Sequence, residues 1–171
     1  MLAVIPVRDG ELPVGALEAI AECDGQAMLV GDRLDAVDLL GVATDVRTVE
    51  PGPYAPATWA ASLVEVLADE SIIVLPASPD GRDLAPRLAF ALGRQLVAGA
   101  VSIAPGRVTV ARRGGLELHV LAVAPPIVAT LQPGVRGIEP GADHGIAAVT
   151  RSVAIERHQA DDATVVAVHP P

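Results

Sequence analysis

The stretch "SPDGRD", Ser78 to Asp83, gathers a hydroxyl, two carboxylates, a guanidinium and a glycine within one turn. It follows an apolar run that reads as a strand and precedes a leucine-spaced run that reads as a helix. Backbone N–H groups at such a helix start, beside a strand's C-terminal end, suit an anion. Ser78, Gly81 and Arg82 are therefore the candidate anion-binding residues. Asp80 and Asp83 place negative charge where a phosphate would go. The competing reading is architectural: Asp83 accepts a backbone N–H as the helix N-cap, and the turn holds two elements together. Pro86 is tolerated near a helix start, which predicts a start close to Asp83. Arg87, one turn later, is read either as paired with a carboxylate inside the domain or as reaching a partner. Arg82 is expected to be more exposed.

Other reactive side chains are sparse. Asp9 and Asp32 follow the first two apolar runs, where they would line a nucleotide crevice or be solvated loop residues. The Gly-rich phosphate signature that a nucleotide would need is missing, so solvation is the expectation. His119, His144, His158 and His169 are scattered without metal spacing, and "ADH" (Ala142–His144) is the only weak ligand candidate. Cys23 is the single cysteine, which excludes an intrachain disulfide, a four-cysteine zinc site and a cysteine-held cluster. It is read as a buried thiol. The chain contains no lysine, so neither a G-x-x-x-x-G-K-[ST] loop nor a lysine Schiff base is available. No G-x-S-x-G elbow occurs. No catalytic residue and no metal site are expected.

The 171 residues fit one domain, and their net charge is −9. An acidic surface with no Lys/Arg run repels phosphate backbones, so nucleic acid is excluded as an expected partner. No apolar stretch reaches the ~18 residues of a membrane span. Met1 leads directly into "LAVIPV", which reads as a buried first strand rather than a signal peptide. The cytoplasm is the expected compartment.

These side chains are positioned by an alternation of short apolar runs and helical patterns. Leu2–Val7, Ala27–Gly31, Val46–Glu50 and Ser71–Ala77 read as strands. Pro13 opens a helix through about Glu22, with Leu17 and Ile20 inward. "RLDAVDLL" (Arg33–Leu40) reads as a short helix ended by Gly41. Pro56 opens a helix whose Trp59, Leu63, Val66 and Leu67 share a face. Leu84, Leu88 and Leu92 mark another, stopped by Gly93. Strands without polar alternation are buried on both faces, which predicts an α/β, mostly parallel, doubly wound sheet. After Gly93 the helices cease. "LVAGAVSI", "RVTVARR", "LELHVLAV" and "IVATL" predict an antiparallel β extension, with "RRGG" as a hairpin turn and "APP" as a break. "PGVRGIEPGADHG" (Pro133–Gly145) reads as a long loop. "SVAIER" and "TVVAV" read as two late strands.

"PASPDGRDLAPRLAFALG" (Pro76–Gly93) resembles the N-terminal domain of the electron transfer flavoprotein alpha subunit. The family's glycine, basic residue, acidic or amide residue, leucine and Pro-Arg pair fall on Gly81, Arg82, Asp83, Leu84, Pro86 and Arg87. "RVTVARRGG" and "PIVATLQPGVRG" follow in the family's order. The family's Tyr-Ala-Gly-Asn segment is replaced near "VARRGG". "IPVRDGELPVG" resembles the branch that accompanies the mycofactocin redox system. The resemblance implies a Rossmann-like, adenine nucleotide alpha hydrolase-like fold. It also implies that residues 1–171 form a single N-terminal domain that packs on a beta subunit. FAD would be held mainly in a C-terminal domain that follows in the longer alpha subunits, with none expected on this chain alone. Electrons from a dehydrogenase would pass through that FAD to a quinone-linked acceptor. The chain would be an electron carrier's scaffold, not an enzyme.

Two other readings compete. One is an adenine-nucleotide-binding α/β module, such as a small hydrolase or ligase fragment. The other is an oligomerisation domain without redox role. The antiparallel part also predicts an interface. Val97, Val101, Val108, Val110, Val120, Val123 and Val128 would form an apolar surface with no helix to cover it. A partner chain would cover it, or self-association in the isolated domain.

Overall fold

The computed structural model describes residues 1–138, 148–163 and 166–167. The apolar runs become strands β1 (Leu2–Val7), β2 (Gln26–Gly31), β3 (Asp45–Val49), β4 (Ile72–Pro76) and β5 (Gln95–Ala104). They continue as β6 (Arg107–Arg112), β7 (Glu117–Ala122), β8 (Ile127–Leu131) and β9 (Val149–Ser152). The helices are α1 (Ala16–Glu22), α2 (Pro56–Ser62), α3 (Val64–Leu67) and α4 (Pro79–Ala91). One sheet carries the strands in the order β7-β6-β5-β8-β4-β1-β2-β3-β9. The pairings are parallel except those of β6, which runs against β5 and β7. The mostly parallel α/β sheet expected from the apolar runs is therefore what forms.

Alternation along β1 shows how the two faces are filled. Leu2 and Val4 join Met28, Trp59, Leu63, Leu84 and Leu88 on the side of α2, α3 and α4. Ala3, Ile5 and Val7 join Ile20 and Cys23 of the α1 side. The α1 side also takes Ile103, Val108, Val110 and Val123. Glu22, at the end of α1, accepts the Ile103 N–H at 2.7 Å and pairs with Arg136 at 2.6 Å.

This packing corrects the expected apolar surface. Val97, Val108, Val110 and Val123 are buried because β5 and the hairpin share the core of α1, and Val128 of β8 is buried in the core on the other face, under α2 and α4. Val101 is half-buried, and Val120 alone of the set is exposed. The antiparallel part is also smaller than expected. "IVATL" is β8, a central strand parallel to both β4 and β5, and all five of its residues are buried. Its unbroken apolar run fits burial on both faces, as in the other central strands. β5 serves two neighbours by bending: its first part pairs with β8 and its last part with β6, with a register shift between Val97 and Ala100. Gly99 takes a φ of +73° there, and its N–H donates to Thr130 Oγ1 at 2.9 Å.

Local differences have local causes. "RLDAVDLL" forms only a 3-10 turn at Leu34–Ala36, and Asp38 Oδ1 accepts the Leu40 N–H at 2.8 Å in place of a helical bond. α1 begins at Ala16 rather than Pro13, after Gly15 at a φ of +80°. The Pro56 helix is split at Leu63 into α2 and α3, with Trp59, Leu63 and Leu67 buried and Val66 half-buried. The strand expected at "SVAIER" is instead β9, ending at Ser152. Residues 153–163 run without regular structure and bond to α2 through Thr58 and Ser62. "TVVAV" falls largely outside the described residues, as do His144 and His169. No helix among the described residues is long and apolar enough to cross a membrane.

Candidate functional site

The chain leaves β1 for β2 and β3 on one side, then returns to β4 on the other. In open α/β sheets a ligand crevice forms at such a reversal, outside the carboxyl ends of the strands. Here the residues after β1 and β4 meet. Asp9 and Gly10 have φ of 54° and 77°, and the Glu11 N–H donates to the Arg8 carbonyl at 2.9 Å, closing a turn with both central residues left-handed. Across the reversal Arg8 Nη1 lies 3.3 Å from Asp80 Oδ1.

Tyr54, from the loop before α2, completes this junction. The Arg8 guanidinium sits 4.9 Å from the centre of its ring. Its hydroxyl is 3.3 Å from the Asp80 carbonyl and 3.4 Å from Asp83 Oδ2. Burial pushes the Tyr54 phenol well above its ordinary range, and the charges of Asp80 and Asp83 add to the effect. The hydroxyl therefore stays protonated and acts as a donor. Trp59 meets the ring edge-on at 5.1 Å, and its Nε1 donates to the Pro53 carbonyl.

Asp9 and Asp32 are brought together in a cleft of about 420 Å³ with Arg8, Gly52, Tyr54 and Trp59. Asp32 Oδ1 accepts the Asp9 N–H at 2.9 Å. The cleft thus carries two carboxylates, and its one guanidinium already faces Asp80. A pyrophosphate, as in FAD or ATP, asks for free donors and positive charge. This lining does not fit that group.

The Ser78–Asp83 turn differs from the sequence expectation at its cap. α4 begins at Pro79, with Ser78 as the N-cap: its Oγ accepts the Gly81 N–H at 3.1 Å. Asp83 is not the cap. It lies inside the helix, where Oδ1 is 3.3 Å from Arg87 Nε, so Arg87 pairs within the domain. Pro86 falls in the helix interior rather than its first turn. A serine followed directly by proline is itself a start signal, with proline at N1, and it outweighs the aspartate five residues on.

The three anion candidates lie close together in this turn. Ser78 and Gly81 are buried and bond one another. A Cβ on Gly81 would stand 1.9 Å from the Pro76 carbonyl oxygen, so only glycine lets the helix start this close to β4. Arg82 is exposed and lines a second cleft of about 560 Å³, with Pro86, Leu96, Gly99, Thr130 and Gln132.

Cys23 is buried, and burial pushes its thiol up to about 12. His119 Nε2 lies 3.0 Å from Glu117 Oε2 on β7, while His158 contributes its backbone N–H to Ser62 Oγ. Among the described residues no three potential metal ligands cluster. Arg8 and Tyr54 carry the junction, yet neither stood out in the sequence. The one available signal was a lone tyrosine between Pro53 and Pro56.

The family model of the electron transfer flavoprotein domain matches residues 26–166, from β2 through β9 and beyond. No curated protein matches the chain.

Proposed function

The chain belongs to the electron transfer flavoprotein domain family, and on that premise we propose that it is the N-terminal scaffold and subunit-contact domain of an alpha subunit. In this reading residues 1–171 form one domain whose role is to hold a companion beta subunit and support a flavin domain. FAD sits outside these residues and supplies the redox chemistry when bound. Electrons reach it from a dehydrogenase and leave to a quinone-linked acceptor. Placement in the mycofactocin-associated branch rests on "IPVRDGELPVG", and the cytoplasm is the proposed compartment.

The observation that carries this reading is the filled junction at the sheet reversal. Arg8, Tyr54 and Asp80 satisfy one another there. The neighbouring cleft is lined by Asp9 and Asp32, which argues against the adenine-nucleotide alternative. In this reading the chain's own residues position and pack, and the described residues of the junction serve as structure rather than as reacting groups.

The test is a purification. The isolated chain is expected to emerge colourless, without flavin absorbance, and to form a flavin-bearing complex only when co-produced with a beta subunit and the flavin domain. A flavin band near-stoichiometric with the isolated chain would overturn the reading.

A further inference from the structure

Charge is divided along this chain. From Leu84 to Ile138 six arginines face a single acid, Glu117, while the remaining six arginines face twenty acids. That segment builds β5, β6, β7 and β8, so one end of the sheet is cationic on a chain of net charge −9. Four of the six are engaged. Arg87 pairs with Asp83, Arg113 with Glu117 and Arg136 with Glu22, and Arg94 donates to the carbonyls of Leu67, Ala68 and Glu70. Arg107 and Arg112, both exposed on β6, have no carboxylate partner among the described residues.

Among the described residues β7 is the last strand at that end, and its only pairing is with β6. Its alternation is inverted. Leu121, opposite buried Val108, faces inward, and Glu117 and His119 lie on the same side. Outward point Leu116, Leu118 and Val120, which are 88%, 65% and 62% exposed. Ala111 and Thr109 stand opposite Leu118 and Val120 and extend that outer face. Edge strands are ordinarily blunted by charge on the open face, whereas this one carries leucine and valine there.

We propose that the free edge of β7 and the apolar outer face of the β6–β7 hairpin dock an extended, acidic segment of a partner protein. The segment adds a strand to β7 through the backbone groups that β6 leaves unpaired. Its apolar side chains cover Leu118 and Val120, and the carboxylates that alternate with them turn to the face of Arg112, while Arg107 stands at the end of the outer row opposite Ala122, within reach of a carboxylate at the segment's end. A polypeptide fits better than a nucleic acid, because the hairpin carries no Phe, Tyr or Trp on which bases would stack and its one imidazole, His119, is paired with Glu117. A second copy fits less well, because it brings the same arginines to the same edge.

This inference deepens the subunit-contact reading, and its test separates the two. The probe is a blocked peptide of about ten residues alternating valine with glutamate, with a lysine-for-glutamate version as reference. Hydrogen exchange of the whole chain is followed during titration. The glutamate peptide is expected to slow exchange across Glu117–Ala122, and added salt is expected to weaken it. The double variant Arg107→Glu, Arg112→Glu is expected to bind about tenfold more weakly or worse. Leu118→Asp, on the outer face, is expected to do the same, with circular dichroism confirming that both remain folded. The proposal is overturned if neither peptide binds, if the lysine peptide binds equally, or if protection falls on β9 or on α2 and α4. Concentration-dependent protection of β7 without peptide would make the occupant a second copy, and tighter capture of oligo-thymidylate would make it nucleic acid; either overturns the proposal. If the peptide docks but no flavin-bearing complex ever forms, the subunit reading fails and the dock stands. If such a complex forms and β7 gains no protection in it, the dock fails and the subunit reading stands.

Discussion

The carboxylate of Asp162 accepts a 2.7 Å hydrogen bond from the backbone N–H of Ala57, 105 positions earlier in the chain. Its other oxygen accepts the Thr58 N–H at 3.0 Å. These are first-turn amides of α2, whose own N-cap residue, Ala55, makes no side-chain cap bond. Asp162 thus caps a helix from a distant segment. Asp162→Ala is expected to lower stability by about 0.5–2 kcal/mol, the usual cost of a lost cap. The change should appear in the denaturation midpoint, with Asp161→Ala as an unaffected control.

The same cap makes stability depend on pH. Burial alone would raise the Asp162 carboxyl, but the hydrogen bonds from Ala57 and Thr58 outweigh it and hold the group below its ordinary value. Its folded-state pKa is therefore below that of the unfolded chain. The stabilisation is complete above the unfolded value, about 3.9, and is lost as pH falls through the folded value. The gap between the natural chain and Asp162→Ala should hold steady from neutral pH to about 5 and close below about 4. A gap that closes between neutrality and pH ~5 would show that another group is responsible.

At α4 two substitutions distinguish the true cap from the expected one. Ser78→Ala removes the acceptor of the Gly81 N–H and should cost about 0.5–2 kcal/mol. Asp83→Ala removes an exposed pairing with Arg87 one turn along the helix and a long 3.4 Å contact from the Tyr54 hydroxyl, which keeps the Asp80 carbonyl, and should cost about 0.2–0.5 kcal/mol. Equal losses in urea denaturation would refute this assignment.

Gly81→Ala probes the close approach of α4 to β4. The added methyl would stand 1.9 Å from the Pro76 oxygen, so backbone must move. A loss of about 1–3 kcal/mol is expected, as for overpacking elsewhere. A variant as stable as the natural chain would mean that the helix start can shift freely.

Much of the architecture was legible because its cause is local. Each buried strand is a run of consecutive apolar residues, and α4 shows its inner face as Leu84, Leu88 and Leu92 in any conformation of the chain. The same locality made "IVATL" recognisable as a strand. The charge division from Leu84 to Ile138 was also present in the sequence, since it needs only counting. The tertiary structure decided which strands became neighbours. β8 lies between β4 and β5 because both its faces are apolar, but an apolar run does not say which strands will cover it. It likewise decided that the hairpin valines share the core of α1, so that only the outer row on β7 stays exposed. The candidate site was the least legible part. Arg8, Tyr54 and Asp80 meet from two loops and the first turn of α4, and Asp162 reaches α2 across 105 positions. Such bonds depend on atoms within about 3 Å of one another, and sequence separation places no limit on which residues those are.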